Sequence, residues 1–296
     1  MSSEARGAAP SGPLVSIGMP IYNEARFLPQ SLASLRAQDH PNLEILISDN
    51  GSTDGTRELC RQAEADDPRV RFHEFETNRG VVVNFAQALS MARGKYFMWA
   101  GGHDLWSANM VSECAALLEA HPTASLAVAT GQWVDEDGRA MGRESGYTDT
   151  RGMDPVARFF TVLWGNMHPI LGLIRKDHLD RTGGVRACAG ADLILLAELC
   201  LMGDFLHAPG ASWQRRMFRA TENHEARIKR YKSREFGLSR SLLDRAFPLA
   251  RLPLSLTRAV LNSGLAGTDK AILLWGLFFA FPARYLAGRR YPALRA

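Results

Sequence analysis

Short apolar runs alternate along this chain with longer stretches whose apolar residues recur every third or fourth position. Leu14-Val15-Ser16-Ile17-Gly18-Met19-Pro20 reads as a strand stopped by proline, with Tyr22-Asn23-Glu24 as the loop after it. Leu28, Leu32 and Leu35 fall at i, i+4 and i+7, the buried stripe of a helix. Leu43-Glu44-Ile45-Leu46-Ile47-Ser48 is a second strand, and Asp49-Asn50-Gly51-Ser52-Thr53-Asp54-Gly55-Thr56 is a polar loop rich in N-cap residues. A helix through Leu59, Cys60 and Ala63 follows, then a strand from Val70 to Phe75, the turn Thr77-Asn78-Arg79-Gly80, and a helix with Phe85, Leu89 and Ala92 on one side. Gly94 closes that helix. Tyr96-Phe97-Met98-Trp99-Ala100 is then the strand around which the chain is organised, running into Gly101-Gly102-His103-Asp104. An apolar run closed by Gly-Gly fits a strand covered on both faces, and ligands of open α/β sheets bind beyond the carboxyl ends of such strands.

Further on, the pattern predicts a helix from Met110 to Ala120, a strand from Leu126 to Thr130, and a mobile polar loop from Asp135 to Asp154. A helix from Arg158 to Trp164, a strand from Ile170 to Arg175, an apolar helix opened by Asp192, and a short strand from Phe205 to Ala208 come next. Arg215 to Arg240 is basic and helical in its second half. Strands alternating with helices mean βαβ units with right-handed crossovers, so the fold class is α/β with a mixed, mainly parallel sheet flanked by helices. Residues 1–13 read as a disordered leader, 14–215 as the sheet domain, and 216–296 as a basic helical extension.

Composition changes this picture in two places. The four cysteines (Cys60, Cys114, Cys188, Cys200) have no CxxC spacing and no His-rich neighbours, so they suggest neither a zinc site nor a disulfide framework and a reducing cytosol is the default. The net charge of +4 is unevenly spread: from Arg215 onward there are 17 Lys and Arg against 5 Asp and Glu, which leaves 18 against 26 before it. A basic rear on an acidic body points to an anionic partner. Ala271 to Ala283 is apolar and uncharged, between Lys270 and Arg284, and is too short for a spanning helix. Two readings fit segment 271–286: a helix packed on the domain, or an in-plane membrane anchor whose basic flanks meet anionic lipid. The basic surplus tips the reading towards the membrane anchor, with nucleic-acid binding by the basic tail as a lower-ranked alternative.

Pro20-Ile21-Tyr22-Asn23-Glu24, Ile47-Ser48-Asp49-Asn50-Gly51-Ser52-Thr53-Asp54-Gly55-Thr56, Asn78-Arg79-Gly80 and the stretch from Trp99 to Trp106, in this order and spacing, resemble the family-2 glycosyltransferases with the GT-A fold. The resemblance is close over Leu14 to Gly138 and looser over Asp192 to His224. It implies a nucleotide-diphosphate sugar donor bound by Pro20, Tyr22, Glu24, Asp49, Asn50, Asn78, Arg79, Gly102, His103, Asp104, Arg215 and Arg216. Asp49 is suited to accept the ring N–H that uracil or thymine offers, which favours a UDP-sugar; the plain alternative is an Asx turn. Glu24 is equally well read as a helix-start carboxylate, and Asp54 as a cap.

Family members carry an acidic triplet where this chain has Gly102-His103-Asp104. Its last member binds a divalent cation, Mn²⁺ or Mg²⁺, so Asp104 is the expected metal ligand, with His224 as a second. Gly102 stands where the first carboxylate would be, which puts metal affinity in question and keeps a catalytically silent scaffold as an alternative. Asp192 matches the general base, with an N-cap carboxylate as its plain reading. Trp164, His168 and Trp213 are as well placed to line an acceptor as to fill a core. The implied protein is an inverting hexosyl- or N-acetylhexosaminyltransferase, cytoplasmic and peripheral on the inner face of a membrane, acting on a glycan or lipid-linked saccharide. A dinucleotide-binding dehydrogenase is disfavoured, because no G-x-G-x-x-G follows the first strand.

Overall fold

The structure is a computed structural model that describes residues 12–145, 148–188, 190–217 and 251–290. His224, most of the expected leader and most of the expected Arg215–Arg240 helix lie outside the described residues.

Nine described strands form one sheet: β1 (Val15–Ile21), β2 (Leu43–Asp49), β3 (Val70–Glu74), β4 (Tyr96–Trp99), β5 (Leu105–Trp106), β6 (Leu126–Val134), β7 (Ala140–Ser145), β8 (Leu173–Arg175) and β9 (Phe205–Arg216). Their order is β3-β2-β1-β4-β8-β6-β9-β5, with β7 paired to β6. β3, β2, β1 and β4 are mutually parallel, whereas β8 runs antiparallel to both β4 and β6. β9 lies parallel to β6, and β5 antiparallel to β9. The helices are α1 (Leu28–Arg36), α2 (Thr56–Asp66), α3 (Val81–Ser90), α4 (Met110–Ala120), α5 (Pro155–Trp164), α6 (Lys176–Asp180), α7 (Ala191–Met202), α8 (Arg251–Asn262) and α9 (Gly267–Arg290).

Strand alternation sorts the core into two layers. In β4, Tyr96 and Met98 face a cluster shared with α1, α2 and α4, while Phe97 and Trp99 face one shared with α5, α7, α8 and α9. In β6, Ala127 and Ala129 join the first cluster and Leu126 and Val128 the second. Each fully buried Leu, Ile or Phe contributes about 1.5–3 kcal/mol relative to exposure, so both faces must be covered. α7 is buried nearly all round because α5 and α8 pack against it. This explains a helix with no polar stripe.

Three expectations are corrected here. Asp135 to Asp154 is not one irregular loop: β6 extends to Val134, and β7 returns as the second strand of a hairpin. The strand beginning at Phe205 does not stop at Ala208 but resumes through a register shift and runs to Arg216. Ile170 to Arg175 divides into a 3-10 turn (His168–Leu171) and the short β8. Neither reading of the rear segment is complete: α9 packs Leu273 and Leu277 into the domain core while exposing its other face.

Candidate functional site

The carboxyl ends of β1, β2 and β4 share one edge, since Ile21 pairs with Asp49 and Gly18 with Trp99. Three loops leave it. The first carries Tyr22, Asn23 and Glu24. Asn23 takes φ of 53°, tolerable for Asn, and in this pose its backbone N–H donates to Ser52 Oγ while its Oδ1 accepts from the Thr53 N–H. The Glu24 carbonyl accepts from the N–H groups of Phe27 and Leu28 and so closes the start of α1.

In the second loop Asp49 is wholly buried. Its Oδ2 accepts from the Gly51 and Ser52 N–H groups and from Arg57 Nε at 3.2 Å, and its Oδ1 accepts from Ser52 Oγ. These are the bonds of a turn former. Gly51 adopts φ of 82°, and a Cβ there would lie 2.6 Å from the Thr77 backbone, so only glycine fits. Asn50 Nδ2 donates to Asn78 Oδ1, and Asn50 Oδ1 accepts from the Arg79 N–H, which fastens the Thr77–Gly80 turn to the same edge and leaves the Arg79 side chain exposed. Asp54 caps through Thr56, while the N-cap position belongs to Gly55.

The third loop holds Gly102-His103-Asp104. Asp104 is buried, and its Oδ1 accepts from the Arg216 N–H at 3.0 Å. Burial pushes its carboxyl above the ordinary range, against the pull of His103, the Arg216 N–H and Arg215. His103 Nδ1 lies 3.0 Å from Glu24 Oε1, in hydrogen-bond contact, and its Nε2 lies 3.9 Å from Asp104 Oδ1, so the imidazole sits between two carboxylates. Gly102 is closely enclosed: a Cβ would come within 2.9 Å of both Glu24 Cγ and Ile21 Cγ2. The space of a side chain at this position is thus taken by Glu24 and Ile21 together.

β9 closes the site with consecutive arginines that alternate in direction, as neighbours on a strand must. Arg216 is buried, and its guanidinium donates to the His103 and Glu136 carbonyls and to Gln30 Oε1. Those bonds make it a bolt between loops. Arg215 bonds His168 Nε2 and lies 4.8 Å from the Trp133 ring centroid. Its charge also acts on Asp104 and Asp192.

Asp192 is in the first turn of α7, after Gly190 at φ of 78°. Gly190 is the N-cap and Asp192 is not, contrary to its plain reading as a capping carboxylate. The side chain is solvent-accessible, yet the protein around it is dense enough to desolvate the carboxyl and raise its pKa, with Arg215 pulling the other way. Exposure together with crowding describes the wall of a crevice. No hydrogen bond to the Asp192 carboxylate is formed among the described residues.

Beside Arg215 lies an aromatic group that the sequence reading only partly found. Trp133 and Trp213 are buried, and His168 packs edge-on against both, at centroid distances of 5.4 and 5.9 Å. Burial and the charges of Arg215 and Arg143 lower the His168 pKa to about 4, so it is neutral at pH 7. Trp133 was missed; its signal is a lone aromatic at the end of a small-residue strand, paired in register with Arg215. Trp164 is exposed and stands apart from these contacts. A separate groove of about 400 Å³, lined by Arg181, Glu198 and Arg258, lies at the far end of α7.

A family model for "Glycosyl transferase family 2" matches residues 16–182, more than half of the chain. The chain belongs to that family. TuaG of Bacillus subtilis (strain 168), named as a teichuronic acid biosynthesis glycosyltransferase, is 37% identical over 94 residues, covering 32% of this chain and 37% of TuaG. EpsE of the same organism, also named as a glycosyltransferase, is 35% identical over 128 residues, covering 43% of this chain and 46% of EpsE. The matched part therefore spans only about a third to a half of these curated relatives. Among solved structures, S. aureus TarS 1-349 in complex with UDP-GlcNAc superposes with a TM-score of 0.65 at 17% identity, covering 90% of this chain and 73% of that one. The mannosyltransferase PcManGT from Pyrobaculum calidifontis, in complex with GDP-Man and Mn²⁺, gives 0.53 at 20% identity, covering 97% and 87%. The fold of this family-2 member is GT-A.

That fold implies a divalent cation. Asp104, His103 and Glu24 form a connected chain, but no group of three His, Cys, Asp or Glu among the described residues can hold a metal ion. The set fits a cation that takes most of its ligands from diphosphate and water, as Mg²⁺ does, and does not fit a protein cage.

Proposed function

We propose that this chain transfers a sugar from a nucleoside-diphosphate donor, most readily a UDP-sugar, to a hydroxyl of a glycan or lipid-linked saccharide. The observation that carries the reading is the shared edge at the ends of β1, β2 and β4, where Glu24 and His103 are in hydrogen-bond contact and Asp104 is held by the Arg216 N–H of β9. Pro20, Tyr22 and Glu24 frame the base and ribose, with Asn50, Asn78 and Arg79 beside them. Asp49 holds this rim in shape from behind. Mn²⁺ or Mg²⁺, when bound, is held by Asp104 with His103 next to it, and supplies charge neutralisation at the diphosphate.

Asp192 accepts the proton of the acceptor hydroxyl as its oxygen bonds to the anomeric carbon. The bond from that carbon to the diphosphate oxygen breaks on the opposite face, so configuration inverts. The leaving diphosphate gains charge, and Arg215 is placed to meet it. Arg216, committed to loop carbonyls, positions Asp104 instead of touching phosphate. Support for the uridine donor is the UDP and the UDP-GlcNAc held by TarS.

Thermal-shift titration with UDP, dTDP, GDP and CDP, with and without Mn²⁺, tests the donor class, because a ligand of the native state raises its apparent stability. Stabilisation by UDP, enhanced by Mn²⁺, is expected; stabilisation by GDP or CDP alone would sink the uridine assignment. The silent-scaffold reading, which Gly102 keeps open, predicts nucleotide binding with no donor turnover.

A further inference from the structure

The outer face of the α8–α9 pair carries an apolar patch that the domain leaves uncovered. On α9, Ile272 is 53% exposed, Trp275 68%, Phe278 72% and Phe279 61%. On α8, Leu254 and Leu261 are 62% and 53% exposed, with exposed Arg258 between them at i+4. Single exposed apolar residues are ordinary, but four bulky ones on one helical face form a patch that calls for an occupant. The helix is not loosely tethered: Leu273 and Leu277 are buried on its inner side, and Gly276 sits where any side chain would collide with the Phe160 ring.

We propose that this face docks on the surface of an anionic lipid bilayer, with α9 lying in the plane of the headgroups. Charge selects that occupant. From Arg251 to Arg290 the chain has six Lys and Arg against one Asp, and the uncharged run from Ala271 to Ala283 is bracketed by Lys270 and Arg284. Bulky aromatics with basic flanks are the composition of interfacial helices, whose basic residues add attraction to anionic headgroups. No helix of the described residues is long and apolar enough to cross a membrane, so the aromatic face meets lipid from one side. α8 also connects this face to the crevice: Leu252 packs against Gly190, which caps the helix bearing Asp192. The helix pair that docks thus adjoins the helix whose first turn bears Asp192. This deepens the acceptor reading above, but it is measured without any transfer reaction, so the two can fail separately.

The test is flotation of the full chain with phosphatidylcholine vesicles, with and without phosphatidylglycerol. The unmodified chain is expected to float with the anionic vesicles and to be released by salt. The triple variant Trp275→Ser/Phe278→Ser/Phe279→Ser, with unchanged circular dichroism and melting temperature, should partition at least about tenfold less. Should the triple variant misfold, quenching of the unmodified chain's indole fluorescence by brominated lipid, in a Trp164→Phe background, gives the same answer through Trp275. Absence of flotation, equal flotation of the folded triple variant, or absence of quenching would overturn the proposal. So would a dimer, seen by light scattering, that the triple variant abolishes, because a second copy would then cover the face.

Discussion

At the β1–β2 edge, Asp49 is wholly buried and accepts from Gly51, Ser52 and Arg57. At the start of α7, Asp192 is exposed, desolvated by crowding, and has no hydrogen-bond partner among the described residues. The parallel half of the sheet thus commits its carboxylates to loop geometry, and the mixed half leaves one poised. A desolvated carboxylate without donated N–H bonds gains basicity. The same division separates the two arginines of β9. Arg216 is consumed by carbonyls and Gln30, while Arg215 bonds His168 and lies beside the Trp133 ring.

The sharpest way to break this comparison is to exchange the loss of each carboxylate. Asp192→Asn should lower transfer by about 10²–10⁴-fold, the usual contribution of general base catalysis, with the melting temperature nearly unchanged. The raised pKa of Asp192 adds a pH signature. A base works only when ionised, so kcat/KM should climb with pH through a limb lying above the ordinary carboxylate range. A limb that survives in the variant would remove Asp192 from the role.

Asp49→Ala should behave in the opposite way. Removing one partner of a buried charge pair costs about 3–5 kcal/mol, and Arg57, three-quarters buried, loses its acceptor there. Chemical denaturation should show the loss, and donor affinity should fall only as the folded fraction does. A folded variant with selectively lost uridine binding would instead restore Asp49 to the base-reading role that sequence suggests.

His168 offers a smaller effect. Its pKa is lowered from 6.5 to about 4 by burial and by Arg215 and Arg143. The unfolded chain therefore binds a proton that the native chain refuses between these values. Stability is complete above about pH 6.5 and falls as pH drops toward 4, by up to about 3 kcal/mol at 1.36 kcal/mol per unit. His168→Asn should flatten that acid slope in denaturation curves measured from pH 7 to pH 4.

How much of this was legible depends on range along the chain. Local signals placed β1 to β4, α1 and α4 within a residue or two, because strand period, Pro20, Gly94 and the loop residues all act over a few positions. The length of β9 was not legible: Ala208-Pro209-Gly210 reads as a stop, yet the ladder to β6 absorbs it as a bulge and carries on to Arg216. The divergent fates of Arg215 and Arg216 were equally hidden, since they depend on partners in α1, β6 and the loop after β4. Asp49 reads from sequence as either a ligand or a turn former because the two share the same residue types, and its bonds to Gly51 and Ser52 show the turn-forming part. α8 was missed altogether: in a basic stretch its buried Leu252, Leu256 and Val260 make only a short stripe.

The last and smallest effect concerns Gly102, where the chain lacks the family's first acidic residue. A Cβ at that position would stand 2.9 Å from Glu24 Cγ and from Ile21 Cγ2, closer than real side chains approach. Gly102→Ala should therefore cost about 1–3 kcal/mol, the range for overpacking a filled site. It should also displace Glu24 from His103, whose contact is 3.0 Å. Glu24→Ala removes one obstructing atom, Cγ, leaving Ile21 Cγ2 and Glu24 Cβ in place, and should lower part of the cost of Gly102→Ala, giving a favourable coupling of at least about 0.5 kcal/mol in a double-mutant cycle. If carboxylate and glycine are a matched pair, Gly102→Asp should be tolerated only with Glu24→Ala, and that double variant should recover Mn²⁺-dependent stabilisation by UDP. Additive costs in the cycle would mean that Gly102 and Glu24 are independent, and that the space beside His103 is not what decides which carboxylate faces the diphosphate.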